Sequence, residues 1–163
     1  MRFCSVNQTR RQFLATAAMA AAAPALQASA PDADVAGFDH VALPMENTEA
    51  VLAFYRKLRF DVVEAKNAAF VYVGEQMISF HKPALSRRPS FTLRGTAAKP
   101  GCGDLCFVWS GKPESLNALL EHAGAKIVEG PVPREGGRRK AGSSVYTRDP
   151  DGNLLEFLIY GSE

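Results

Sequence analysis

The sequence predicts an α+β fold made of two β-α-β-β-β modules. Short β-prone runs and one amphipathic helix follow one another in the same order twice, within residues 37–83 and again within 102–161. Residues 87–101, rich in proline, glycine and basic side chains, separate the copies as a linker.

In the first copy, residues 38–43 form a short apolar run that suits a strand. Asn47 or Thr48 then caps a helix whose Val51, Leu52, Phe54, Tyr55 and Leu58 share one broad face. Residues 60–64, 70–73 and 77–81 are β-prone, and Gly74-Glu75 parts the last two as a tight turn does. In the second copy, 104–109 reads as a strand. Residues 114–123 read as a helix with Leu116, Leu119, Leu120 and Ala123 at helical spacing, stopped by Gly124. Strands are expected at 126–129, 144–148 and 154–160, with Asp149-Pro150-Asp151-Gly152-Asn153 turning between the last two.

The N-terminus carries an address. Arg10-Arg11 precedes an alanine-rich apolar run, which ends at the small residues Ala28-Ser29-Ala30. This is the layout of a twin-arginine export signal over residues 1–30, with 31–36 as a linker to a domain over 37–161. The apolar run is shorter than the roughly 20 residues a bilayer requires, and Pro24 interrupts it, so no stable membrane span is expected. A periplasmic or otherwise extracytoplasmic location follows. Three of the 19 basic residues and none of the 17 acidic ones lie in the leader. The mature chain is therefore near neutral, without the basic surface that nucleic acid or an anionic membrane requires. Cys4 leaves with the leader. If Cys102 and Cys106 share a strand, their Cα atoms lie roughly 13 Å apart at about 3.3 Å per residue. A disulfide spans at most about 7 Å. Two free, mostly buried thiols are expected.

Four ionisable residues interrupt the apolar strands. His40 and Asp104 stand on the first strand of each copy, and His81 and Glu156 on the last. Glu156, flanked by Leu154, Leu155, Phe157, Leu158 and Ile159, is expected to be buried and therefore paired or metal-bound. The residues leave three readings open: a metal ligand, an ion pair with Arg134 or Arg148, or a strand edge that reaches water. His40 alone is more often a core histidine with its hydrogen bonds satisfied. Together, imidazoles and carboxylates suit one divalent metal ion with open positions, whether Zn, Ni, Mn, Fe or Co. His122 is expected at the surface, near the C-terminal end of its helix.

The runs Phe38-Asp39-His40-Val41-Ala42-Leu43, Ala53-Phe54-Tyr55-Arg56-Lys57-Leu58 and Thr147-Arg148-Asp149-Pro150-Asp151-Gly152-Asn153-Leu154-Leu155-Glu156 resemble the vicinal oxygen chelate superfamily. That superfamily includes glyoxalase I, extradiol dioxygenases, fosfomycin-resistance enzymes and bleomycin-resistance proteins. Ile78-Ser79-Phe80-His81 and Glu129-Gly130-Pro131-Val132-Pro133-Arg134 are similar to its glyoxalase-domain-containing 5 branch. The resemblance implies a cupped mixed sheet with helices outside and metal ligands on the first and last strands of each module. His40 and Glu156 match ligand positions. Asp104 stands where many relatives have histidine. On the last strand of module one the match is ambiguous: counting from the turn points to Ser79, with His81 two residues further on the same face.

The glycine-rich basic loop 133–142 has cations suited to an anionic substrate. Arg134 is the leading anion contact, and Tyr146 and Trp109 are either pocket-lining or plain core. The resemblance implies a metal-dependent lyase, isomerase or dioxygenase acting on a small molecule, with Glu156 as ligand and proton-transfer group. The alternative is a metal-free binding protein of the bleomycin-resistance type. It would sequester a small molecule in the cup or in a homodimer groove.

Overall fold

The computed structural model describes residues 34–161. The expected leader, and with it Cys4, lies outside the described residues. Module one comprises β1 (His40–Pro44), α1 (Thr48–Lys57), β2 (Asp61–Glu64), β3 (Ala68–Val73) and β4 (Gln76–His81). A one-turn helix α2 (Pro83–Ser86) follows. Module two comprises β5 (Asp104–Val108), α3 (Pro113–Ala123), β6 (Glu129–Glu135), β7 (Ala141–Arg148) and β8 (Leu154–Tyr160).

The strands form two four-stranded mixed sheets, ordered β1-β4-β3-β2 and β5-β8-β7-β6. In each module the first strand pairs in parallel with the last, and the remaining pairs are antiparallel. A parallel pair needs a long crossover, and the helix with two strands supplies it. The two sheets are therefore copies of one topology.

Period-two alternation divides each sheet into two faces. On one face Leu43, Ala69, Val71, Ile78 and Phe80 pack against Val51, Leu52, Phe54 and Tyr55 of α1. In module two Phe107, Val145, Leu155 and Phe157 do the same against Leu116, Leu119, Leu120 and Ala123 of α3. These residues form one core across both modules, and Phe60 meets Phe107 with ring centroids 5.1 Å apart. The opposite face of each sheet carries His40, His81, Asp104 and Glu156.

The turn after β7 locks the modules together. Asp149 is buried and accepts hydrogen bonds from Asp151 N at 3.0 Å, Asn153 N at 2.9 Å and Asn153 Nδ2 at 2.7 Å. Asn153 Oδ1 in turn accepts from Gly103 N at 2.8 Å. Asp151 reaches module one, accepting from Glu46 N at 2.7 Å and from both Asn47 N and Asn47 Nδ2 at 2.9 Å. Burial raises the Asp149 carboxyl above its ordinary range, and the hydrogen bonds from Asn153 and Asp151 oppose that shift.

Two expectations need correction. The strand read at 126–129 is β6, running from Glu129 through both prolines to Glu135. Proline lacks an N–H, but β6 is an edge strand and pairs on one side only. The basic loop therefore shrinks to residues 136–140. It curls onto β8, where a Cβ at Gly136 would overlap Tyr160 Oη and Leu158 Cδ2. The thiols are free as expected, but both cysteines are exposed rather than buried. Cys102 precedes β5, and Cys106 lies on the face turned away from the helices.

Candidate functional site

The strand registers place the candidate residues on the faces opposite the helices. On module one, His40 pairs with Met77, and Pro44 with His81, so both imidazoles share a face with Ser79. On module two, Cys106 pairs with Glu156 and Glu156 with Tyr146, so these three share a face with Asp104 and Ser144. The edge strands β1 and β5 lie side by side, with Leu43 Cδ1 only 2.8 Å from where a Gly103 Cβ would stand. No hydrogen-bond ladder joins them. Toward the start of β1 they enclose a cavity of ≈ 430 Å³, lined by Asp39, His40, Asp104 and Cys106 among apolar residues including Phe38, Met77 and Phe107.

His40 is half-exposed, and its Nδ1 lies 2.6 Å from Asp39 Oδ1. A carboxylate at Nδ1 holds the proton there and leaves Nε2 as a lone-pair donor. His81 packs edge-on against Phe91 with ring centroids 5.1 Å apart. Burial, and then His40, hold its imidazole below the ordinary range, which favours the neutral form.

Glu156 is partly buried and accepts a hydrogen bond from Ser144 Oγ at 2.5 Å. The ion-pair reading is not what the structure shows. Arg134 pairs with Glu129 at 3.1 Å and Arg148 donates to Gly152 O at 2.8 Å. No salt bridge among the described residues involves Glu156. Cys106 is exposed as a residue, yet packing around its sulfur pushes the thiol up to about 12, with the charge and hydrogen bond of Glu156 and the charge of Asp104 adding to it. The Cys106 thiol is therefore a neutral donor to the carboxylate.

Arg134 and Tyr146 stand together. Arg134 Nε donates to Tyr146 Oη at 2.9 Å, and the guanidinium sits 5.4 Å from the ring centroid. With further bonds to Pro133 O at 3.0 Å and to Glu129, the guanidinium is largely committed within the protein.

The structure thus brings His40 and Asp104 to one cavity and sets Glu156 beside Cys106. Among the described residues, no three His, Cys, Asp or Glu side chains gather closely enough to hold a metal ion. Sequence reading missed Asp39, Cys106 and Ser144. Asp39 was visible as the carboxylate before His40, whereas the roles of Cys106 and Ser144 depend on strand register.

A family profile described as the Glyoxalase/Bleomycin resistance protein/Dioxygenase superfamily matches residues 37–157. Virulence protein STM3117 of Salmonella typhimurium is 35% identical over 124 residues, covering 75% of this chain and 83% of that protein. Its crystal structure superposes with a TM-score of 0.68 at 33% sequence identity, over 78% of this chain and 98% of that one. Glyoxalase domain-containing protein RDO1 of Mycosarcoma maydis is 30% identical over 139 residues, covering 85% of this chain and 76% of that protein. Motif, topology and these likenesses agree, and the chain belongs to the glyoxalase/bleomycin resistance protein/dioxygenase superfamily.

Proposed function

We propose that the protein is a metal-dependent enzyme of the vicinal oxygen chelate type, acting on a small molecule after export. The observation that carries this reading is the pairing of His40 with Asp39 across one cavity from Asp104. The donor chemistry fits a divalent ion: an imidazole with a fixed tautomer, and the two carboxylates Asp104 and Glu156. These three residues stand apart in this structure and would have to close together to hold it, with His81 a fourth donor if the β4 face takes part. When bound, the ion supplies Lewis acidity toward adjacent substrate oxygens.

The chain's own residues do the rest. Asp39 keeps the His40 proton on Nδ1. Ser144 donates to Oε1 of Glu156, and the carboxylate can accept a proton from a substrate carbon. The neutral Cys106 thiol adds a second donor without adding charge. Apolar residues such as Phe38, Met77 and Phe107 line the cavity beside His40 and Asp104. The reaction, whether lyase, isomerase or dioxygenase, depends on a substrate the fold does not specify. Native purification, elemental analysis and the Glu156→Ala variant test the reading.

A second reading is supported by the apolar lining of the same cavity: a metal-free protein that sequesters an apolar small molecule, alone or as a homodimer. Metal content separates the two.

A further inference from the structure

The two helices end in matching motifs that differ at one residue. At the end of α3, Ala125 N donates to Leu120 O at 2.8 Å and Gly124 N to Glu121 O at 3.0 Å. At the end of α1, Phe60 N donates to Tyr55 O at 3.1 Å and Arg59 N to Arg56 O at 2.9 Å. This closure puts one residue in the left-handed region. In module two that residue is Gly124, with φ +72°, and in module one it is Arg59, with φ +65°. Glycine enters this region freely, whereas a residue with a Cβ is disfavoured there. A non-glycine residue held in such a backbone directs attention to its side chain.

Arg59 borders a cavity of ≈ 440 Å³ whose other lining residues are Trp109, Ser115, Ala118, Leu119 and His122. None of these residues lines the cavity beside His40. The lining holds two basic side chains and no carboxylate. Arg59 takes part in no salt bridge and no aromatic stack among the described residues. Trp109 Nε1 and Ser115 Oγ both donate to Lys112 O, at 3.1 and 2.7 Å, which anchors the indole. The indole ring, Ala118 and Leu119 then offer an apolar wall beside the cation.

We propose that this cavity is a second binding site, separate from the cup, for a small organic carboxylate with a planar apolar body. The Arg59 guanidinium matches a carboxylate in bidentate geometry, and His122 adds a donor. The indole of Trp109 takes the apolar body.

Trp109 is the chain's one tryptophan, so its fluorescence reads this cavity directly. Benzoate is the probe, and benzamide and inorganic phosphate are the controls. The expected result is a saturable change in emission with benzoate, and binding at least about tenfold weaker for benzamide and for phosphate. Arg59→Gly should weaken benzoate binding by at least about tenfold while leaving Tm unchanged or higher, because glycine suits this backbone. His122→Ala, at an exposed position, serves as the second variant and should weaken binding several-fold. No saturable response up to about 50 mM benzoate, beyond the range of a weak fragment, would overturn the proposal. So would undiminished binding in both variants. Phosphate binding as tightly as benzoate would overturn the assignment of an apolar ligand body.

Discussion

Tyr55 and Asp149 lie 94 residues apart in sequence and are joined by a hydrogen bond of 3.3 Å in the buried core. Tyr55 belongs to the helix of module one, and Asp149 opens the turn that starts β8 in module two. The same turn sets the register that carries Glu156 onto the face opposite the helices. This contact therefore links the fold of one module to the placement of a candidate site residue in the other.

Tyr55→Phe should destabilise the protein by about 1–2 kcal/mol, since a buried acceptor loses one of its donors. Burial, followed by the charge and hydrogen bond of Asp149, raises the Tyr55 phenol well above the ordinary tyrosine range. The unfolded chain then releases this proton first as pH rises past about 10, so stability falls through that window. The loss approaches about 1.4 kcal/mol per pH unit. Urea unfolding between about pH 9 and 11.5 should show this extra slope in the wild type and not in Tyr55→Phe. Equal slopes would contradict the argument.

Cys102 and Cys106 should both alkylate in denatured, unreduced protein. In the folded protein at about pH 8, Cys106 should react at least about tenfold more slowly than Cys102, because its thiol is pushed up to about 12 and the thiolate is the reactive form. Mass-resolved labelling over time measures both rates. Comparable rates would show that burial and the charges of Glu156 and Asp104 do not suppress the Cys106 thiolate.

Export is expected to depend on Arg10 and Arg11. Changing both to lysine should leave the precursor in the cytoplasm with residues 1–30 attached. N-terminal sequencing of the periplasmic fraction reads the result. A mature protein beginning near Pro31 from the double variant would exclude the twin-arginine route.

The sequence made the modules legible because their signals are local. The stripe of Val51, Leu52, Phe54 and Tyr55 marks α1, and Gly124 marks the end of α3. Strand β6 was less legible because Pro131 and Pro133 argue against a strand unless its edge position is known. His40 and Glu156 stood out as polar residues in apolar runs. Their immediate partners did not all stand out. Ser144 meets Glu156 only through the β7–β8 register, and Cys106 only through the parallel pairing of β5 with β8. Arg134 reads in sequence as an anion contact or a partner for Glu156, but folding brings Glu129 and Tyr146 against it. Arg59 gave no signal at all, since a left-handed arginine cannot be read from composition.

The most direct test of the metalloenzyme reading is elemental analysis of protein purified natively from cells grown in medium supplied with Mn, Fe, Co, Ni and Zn. About one divalent ion per chain is expected, lost in both Glu156→Ala and His40→Ala while each variant keeps the wild-type circular dichroism spectrum. Metal-free wild-type protein, or metal retained in full by both variants, would contradict it and leave small-molecule sequestration as the better reading.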